Sequence, residues 1–327
     1  MINIKQLSSS VAPLAIIACL LYAGLFIKPA VPTSNIEAVV IGPRDSFYGI
    51  AAPAPLALWA VGRDGKVVRS ADEGKHWVAQ SSGSAENLQA IAAWSATEAV
   101  VVGNASTVLV TSDGGAHWKT VTGVPSQSET RKLIRVRLGL DGQARAVGEF
   151  GTVLASADKG STWQALGKSE DIAWHDIAEP SAQTLVIVGE FGRIRRSTDA
   201  GQSWSEVASP VKSTLTAVDF RDASEGIAVG LDGVVLSTAD GGKTWHSKVS
   251  STKDHLFDLA RQGGGWVAVG DKGVLLRAGA DGRWYDERIS PTSYAWHTQV
   301  LPVNGSLYLA GAQLARREAD QSVTRFR

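Results

Sequence analysis

One eight-residue phrase recurs along the chain at nearly constant spacing. It begins with Ser or Thr, has Asp at its third and Gly at its fifth position, and ends in Trp. Its five full copies, called Trp boxes below, are SADEGKHW (Ser70–Trp77), TSDGGAHW (Thr111–Trp118), SADKGSTW (Ser156–Trp163), STDAGQSW (Ser197–Trp204) and TADGGKTW (Thr238–Trp245). AGADGRW (Ala278–Trp284) is a sixth, incomplete copy. Successive Trp residues of the six copies lie 41, 45, 41, 41 and 39 residues apart. A period of this length predicts an architecture of repeated structural units.

A second marker has the same period. Seven short apolar runs each end in glycine, at Gly62, Gly103, Gly148, Gly189, Gly230, Gly270 and Gly311. Seven glycine marks against six boxes predict seven units, of which the last, Tyr294–Arg327, has lost its box. A segment near Ile36–Ile41 is a candidate to add a strand to that last unit, because a ring of units must close.

Within each unit, short runs of apolar and β-branched residues alternate with turns rich in Gly, Asp and Asn. Runs of four to six such residues are typical of strands, and no sustained helical period interrupts them. Four short strands per unit, repeated seven times, predict an all-β, seven-bladed β-propeller over residues 44–327.

The boxes are predicted to be structural. Their Asp can accept hydrogen bonds from backbone N–H groups of the turn. Their Gly can adopt positive φ, and their Trp can pack between sheets while its N–H finds a partner. Five equivalent copies are not one catalytic constellation. The residues assigned this structural role are Asp72, Trp77, Asp113, Trp118, Asp158, Trp163, Asp199, Trp204, Asp240 and Trp245.

Composition excludes several classes of function. Lys and Arg total 32, as do Asp and Glu, so no basic field exists to attract nucleic acid. The one Cys, Cys19, lies outside the repeats, which excludes disulfides and Cys-based metal sites within them. No catalytic residue, metal or other cofactor is predicted, and a non-enzymatic role is favoured.

The N-terminus predicts membrane attachment. Gln6–Ile27 carries no charge, and Val11–Ile27 is nearly all apolar, which predicts a transmembrane anchor or a signal peptide at residues 11–28. No convincing cleavage site follows, and the chain stays apolar after Cys19, where a lipoprotein would turn polar. These features favour an uncleaved anchor, with residues 1–10 in the cytoplasm, residues 29–43 as a Pro-containing linker, and a propeller in the periplasm at the bacterial inner membrane.

Candidate partner contacts lie away from the boxes. In a propeller, the loops between blades and the turn between the second and third strands share one face, and the box hairpins lie on the other. The EFG repeat places two exposed Phe on adjacent blades, and the loop Gly123–Lys132 is four residues longer than in other units. The candidates for partner binding are Phe150, Phe191, Glu149, Glu190, Arg135, Trp174, His175 and His297.

Two of these candidates are histidines, a residue type that can act in catalysis or bind a metal. His175 and Asp176 are neighbours on a predicted strand, where successive side chains point to opposite faces, so they cannot simply form a dyad. His175 and His297 would need a third ligand to hold a metal, and the sequence shows none.

The box phrase resembles the Asp box of the bacterial neuraminidase repeat. Together with the VG-x-x-G-x-V turn and seven units, it is most similar to photosystem II stability/assembly factor-like propellers over about Phe47–Arg327. The resemblance implies an accessory or assembly subunit that docks on an integral membrane protein, such as a transporter of the resistance–nodulation–division superfamily. The alternatives are a photosystem II assembly factor, a sialidase-like glycoside hydrolase, and a glycan- or lipid-binding propeller.

Overall fold

The computed structural model describes Tyr22 and residues 39–125, 131–279 and 281–326. The chain divides into two units, residues 1–39 and 40–327, and the second is a ring of seven antiparallel four-stranded sheets. This confirms the predicted seven-bladed propeller. Each sheet follows chain order from an inner first strand to an outer fourth strand.

The strands of the first four blades have the following bounds. Blade 1 has β1 Phe47–Ala54, β2 Ala57–Gly62, β3 Val67–Ser70 and β4 Val78–Gln80. Blade 2 has β5 Leu88–Ala93, β6 Ala99–Gly103, β7 Val108–Thr111 and β8 Lys119–Thr120. Blade 3 has β9 Leu133–Leu138, β10 Ala144–Gly148, β11 Val153–Ser156 and β12 Gln164–Ala165. Blade 4 has β13 Trp174–Ser181, β14 Thr184–Gly189, β15 Ile194–Ser197 and β16 Ser205–Val207.

The remaining three blades repeat this pattern. Blade 5 has β17 Leu215–Phe220, β18 Gly226–Gly230, β19 Val235–Thr238 and β20 His246–Ser247. Blade 6 has β21 Leu256–Gln262, β22 Gly265–Gly270, β23 Leu275–Ala278 and β24 Trp284–Asp286. Blade 7 has β25 His297–Val303, β26 Ser306–Gly311, β27 Ala315–Arg317 and β28 Val323–Arg325. Single 3₁₀ turns follow four second strands, at Arg63–Gly65, Glu190–Gly192, Leu231–Gly233 and Asp271–Gly273.

The periodic glycines mark a close approach between the first two strands of every blade. Each glycine ends its second strand and pairs with the first residue of the inner strand, as in Phe47 with Gly62 and His297 with Gly311. A β-bulge follows at once in the inner strand of each blade. A Cβ on any of the seven glycines would meet the carbonyl oxygen of the residue that precedes the inner strand. Only glycine fits there without a backbone shift.

The boxes build hydrogen-bonded hairpins between the third and fourth strands. In all five full copies the leading Ser or Thr hydroxyl donates to the Asp carboxylate at 2.7–2.9 Å and accepts from the box Gly N–H at 2.8–3.0 Å. The same carboxylate accepts from the backbone N–H four residues on, at 2.8–3.0 Å. Every box Gly has positive φ, from 81° to 92°. The predicted turn chemistry is confirmed.

The box Trp rings pack between sheets, but their N–H groups are not all satisfied. Trp77, Trp163 and Trp245 are at most 8% exposed. The Trp163 N–H donates to the Gly160 carbonyl at 2.9 Å, whereas those of Trp77 and Trp245 have no hydrogen-bond partner among the described residues. The expectation that each indole N–H finds a partner is therefore wrong for two boxes. In those two boxes the buried ring also packs against another aromatic side chain, Phe326 for Trp77 and Phe220 for Trp245.

Side chains and apolar packing join the last blade to the first. Gln299 of β25 accepts from the Ile50 N–H at 2.7 Å, and the Tyr308 hydroxyl donates to the Glu73 carbonyl at 2.9 Å. Ile41 is buried in the cluster between these blades, yet the described residues 39–41 form no strand. The outer strand of blade 7 is β28, so the described part of the predicted Ile36–Ile41 strand is not present.

The N-terminal predictions concern residues 1–43. Of these, the structure describes only Tyr22 and residues 39–43. The proposed cytoplasmic residues 1–10, the anchor at 11–28 and most of the 29–43 linker lie outside the described residues. Within the described residues, no helix has the length and apolar character that crossing a bilayer requires.

The glycine constraint predicts a position-specific effect within strand β22. Gly270→Ala should destabilise the propeller by roughly 1–3 kcal/mol or more, because its new Cβ would overlap the His255 carbonyl oxygen. Gly265→Ala is the matched control, since the nearest atom to its Cβ lies 3.6 Å away. Urea unfolding midpoints measure both. Equal stability of the two variants would contradict this explanation of the periodic glycines.

Candidate functional site

The structure separates the propeller into two faces. On one, the turn between second and third strands meets the loop that enters the next blade, as in Gly151 N–H donating to the Ile172 carbonyl at 2.7 Å. On the other, the box hairpin meets the turn between first and second strands, as in Glu73 N–H donating to the Leu56 carbonyl at 3.1 Å. These are called the turn face and the box face. The predicted division of the loops is confirmed.

Two aromatic side chains project from the turn face of adjacent blades. Phe150 of blade 3 is 42% exposed and Phe191 of blade 4 is 69% exposed. Their φ angles are 55° and 58°, the left-handed region in which bulky residues are outliers. Blades 5 and 6 place Asp232 and Lys272 in the same conformation. Polar residues can therefore occupy this position of the turn. Blades 3 and 4 instead expose a Phe ring there, in spite of the backbone strain.

The glutamates that precede these rings are part of the scaffold. Glu149 accepts from the Lys132 N–H at 2.9 Å, and Glu190 accepts from the Ala173 N–H at 2.7 Å. Each carboxylate thus fixes the segment that enters the inner strand of its own blade. The sequence predicted partner contacts for both, and the structure gives them this positioning role.

A buried cation lies beneath Phe150. The Arg131 guanidinium stacks 5.8 Å from the centre of the Phe150 ring, and the residue is 5% exposed. Burial lowers the pKa of Arg131, and the nearby Glu149 opposes that shift. Its Nε has no hydrogen-bond partner among the described residues. Arg131, Phe150, Pro125 and Lys168 line a cavity of about 220 Å³ beside the Gly123–Lys132 insertion, of which residues 126–130 are outside the described ranges.

Trp174 is a buried anchor for cations, which corrects its predicted place on the surface. It is fully buried, and the guanidinium groups of Arg193 and Arg195 lie 5.5 and 5.3 Å from its ring centre. Both arginines pair with Glu170 and Glu206. Arg195 and these glutamates line a groove of about 1050 Å³ between the outer edges of blades 3 and 4. The ring supports this charged groove from beneath.

Arg135 also lies below the surface, in a charged network at the centre of the ring. It donates to Asp258 at 3.0 Å and lies 3.5 Å from Asp176. Arg137 binds Asp176 through two contacts of 2.7 and 2.5 Å. The carboxylates of Asp176 and Asp258 also accept from the Val218 and Val300 N–H groups, at 3.0 and 2.9 Å. The network links blades 3 to 7, and the prediction that Arg135 is exposed to a partner is wrong.

Sequence reasoning missed this network, although the repeat carries a signal for it. The residue two positions after the start of each inner strand is Gly49, Ala90, Arg135, Asp176, Ala217, Asp258 or Gln299 in successive blades. When the repeats are aligned, Arg135, Asp176 and Asp258 occupy equivalent positions. Residues at equivalent positions lie at the same level of the ring. Sequence reasoning also missed the exposure of Tyr294, whose side chain is 74% exposed.

The two candidate histidines lie in different blades and environments. His175 in blade 4 is half-buried, and His297 in blade 7 is fully buried, so exposure at a partner surface is wrong for His297. Burial lowers the pKa of each to about 4. In the ranges that the structure describes, no group of three potential metal ligands occurs.

The box carboxylates are poor proton donors. The His117 backbone N–H and the ring of the same residue lower the pKa of Asp113 to about 2. The Ser203 hydroxyl and backbone N–H do the same for Asp199. Carboxylates held ionised in this way cannot act as general acids near neutral pH. Their hydrogen bonds serve the hairpins.

The sequence profile of the family described as Photosynthesis system II assembly factor YCF48 matches residues 85–209 and 196–292. No curated protein sequence matches the chain.

Several solved structures share the architecture. YCF48 bound to D1 peptide is 17% identical, with a TM-score of 0.66 over 82% of this chain and 91% of that one. YCF48 from Cyanidioschyzon merolae is 17% identical, with a TM-score of 0.67 over 85% and 97%. An ancestral GH74 enzyme is 14% identical, with a TM-score of 0.68 over 87% of this chain and 47% of that one. At these identities the likeness shows the fold alone.

The lowered pKa of His175 predicts a loss of stability in acid. A histidine whose pKa is near 4 when folded and about 6.5 when unfolded binds its proton more readily unfolded. Unfolding free energy should therefore fall as pH drops from about 6.5 towards 4, by at most ~1.4 kcal/mol per pH unit for one group. Lys132 and Arg135 add to the shift, and Glu190 and Asp176 oppose it. His175→Gln should flatten the slope in urea titrations at several pH values; an unchanged slope would contradict the assignment.

Proposed function

Because the chain belongs to the photosynthesis system II assembly factor YCF48 family, we propose that it is a non-catalytic scaffold or assembly subunit. It docks through its turn face on an integral membrane protein. An assembly-factor family fits such a scaffold role, and the YCF48 structure with D1 peptide is a relative that holds a segment of another protein.

The exposed pair Phe150 and Phe191 carries this proposal. Two large rings on adjacent blades give a compact apolar contact surface, and exposed aromatic side chains dominate the energetics of protein interfaces. Both rings are held on left-handed backbone that polar residues occupy in other blades. Strain of this kind persists where the surrounding structure enforces it and is concentrated at functional sites.

The partner surface has a defined chemistry. Arg131 places its guanidinium against one ring, with its Nε unpartnered among the described residues, and Lys168 lines the same cavity. A partner segment with an apolar side chain beside a carboxylate would cover the ring and pair the guanidinium. Pairing that buried charge would offset the desolvation that it suffers in the free protein.

Membrane attachment belongs to the same proposal. Residues 11–28, apolar up to Ile27, would serve as an uncleaved anchor, and the 29–43 linker would hold the propeller near the bilayer, in the periplasm at the inner membrane. The partner would then be a membrane complex, with a resistance–nodulation–division transporter as one candidate and photosystem II as another. The uncharged segment and the short linker support this arrangement.

Glycoside hydrolysis is the weaker alternative. The ancestral GH74 enzyme shares the fold, but fold does not carry activity. The box carboxylates are bound into five equivalent hairpins, and a hydrolase needs two carboxylates with different protonation states. A glycan- or lipid-binding propeller would need exposed Trp, and the box Trp are at least partly buried.

The docking surface can be tested by removing both rings. Phe150→Ala with Phe191→Ala should weaken capture of the membrane partner from detergent-solubilised membranes by at least roughly 2 kcal/mol, about thirtyfold in affinity. Binding of the purified partner is the measurement, because both side chains are exposed and their loss should leave folding intact.

Tyr285→Ala is the matched control for that experiment. Tyr285 is an aromatic residue 47% exposed on the outer strand of blade 6, with its hydroxyl on Asp281 of the hairpin there. It should bind the partner like the unmodified protein. If Tyr285→Ala loses the partner and the double variant keeps it, the turn face is the wrong surface.

The anchor makes a separate prediction. Mass spectrometry of the protein extracted from membranes should find the first residues still present, because 11–28 lacks a convincing cleavage site. Carbonate washing should leave the protein in the membrane fraction. A mature N-terminus near Gly24 or Val31, or a lipid on Cys19, would refute the uncleaved anchor without affecting the docking surface.

A further inference from the structure

One core position of the repeat is polar in a single blade. The residue that pairs with the terminal glycine of the second strand is buried in every blade. In blades 1 to 6 it is Phe47, Leu88, Leu133, Trp174, Leu215 and Leu256. In blade 7 it is His297, which is equally buried. The repeat provides six examples of what packing alone requires here, and all are apolar.

The imidazole of His297 forms no hydrogen bond of normal geometry with the described residues. Both Nδ1 and Nε2 are shielded from solvent and lack a partner in the described residues. Burial lowers the pKa of His297 to about 4, and a weaker polar contact with the Ala295 backbone opposes that shift. An unpaired buried polar group costs roughly 1–3 kcal/mol. A polar ligand that hydrogen-bonds the ring would remove this cost, which the leucine of other blades avoids altogether.

His297 is one of the residues that line a cavity large enough to hold such a ligand. A cavity of about 350 Å³ lies between the end of blade 6 and the outer strands of blade 7. That volume lies within the usual range for small-molecule sites. Its walls are Ile289, Ser290, Ser293, His297, Gln313, Ala315, Val323 and Arg325.

The polar groups of this cavity favour an anion. Arg325 is its charged residue, and no carboxylate lines it. No ion pair or hydrogen bond joins the Arg325 or Gln313 side chain to the described residues. The guanidinium, the amide, the two serine hydroxyls and one imidazole N–H are all donors. Oxygen acceptors with a negative charge would match them.

We propose that the blade 7 cavity binds a small oxyanion, a carboxylate or phosphate group, paired by Arg325 at its rim and hydrogen-bonded by His297 at its base. Ser290, Ser293 and Gln313 complete the donors. Blade 7 is separate from blades 3 and 4, which carry Phe150 and Phe191, so this ligand site stands independently of the proposed docking surface.

Calorimetric titration of the full-length protein with inorganic phosphate and, separately, acetate tests the proposal. Sodium chloride at the same ionic strength is the reference. At least one oxyanion should bind saturably with one site per chain, and the comparison shows whether the site prefers phosphate or carboxylate. Absence of saturable binding by either anion would overturn the proposal.

Three variants assign the binding to this cavity. Arg325→Gln should weaken it by about tenfold or more, because a charge-assisted hydrogen bond is lost. His297→Leu should weaken it similarly while folding normally, since leucine stands at this position in four other blades. Arg283→Gln, which removes an exposed cation from the blade 6 hairpin, should bind as the unmodified protein does. Equal affinity in all three variants would mean an adventitious ion only and would overturn the assignment.

Discussion

The close approach of each periodic glycine to the start of its inner strand sets the geometry of the whole ring. No side chain fits between the glycine and the carbonyl that precedes that strand. The tight contact is followed by a bulge in each inner strand. Bulges bend a strand and increase its twist. Repeating the same bend in seven blades makes the inner strands converge on a common centre.

Polar side chains then stabilise this ring at two levels. At the box face, each carboxylate of a full box holds its own hairpin through backbone N–H groups. At the centre, Arg135 and Arg137 bridge carboxylates from different blades, and Asp176 and Asp258 each reach the backbone of the next blade. These contacts pair most of the charge at the centre of the ring.

Function is therefore expected where the repeat departs from its own pattern. The turn after the second strand accepts Asp or Lys in the left-handed conformation, yet blades 3 and 4 place Phe there. The inner strands begin with an apolar residue in six blades, yet blade 7 begins with His297. In both cases packing does not explain the exception, because neighbouring blades show what packing selects.

The sequence by itself determined the number of blades, the order of strands, the box hairpins and the separation of two faces. These follow from local turn chemistry and from a period that repeats regardless of distant contacts. It also located Phe150 and Phe191, because a turn tip is exposed in any blade. It could not set the depth of Trp174, Arg135 or His297, which lie near strand starts that looked exposed. Their burial depends on contacts with residues far along the chain, such as Arg135 with Asp258, 123 residues away. Only the closed ring brings such residues together, and so only the tertiary structure decided which polar groups are paired inside it and which remain open to a ligand.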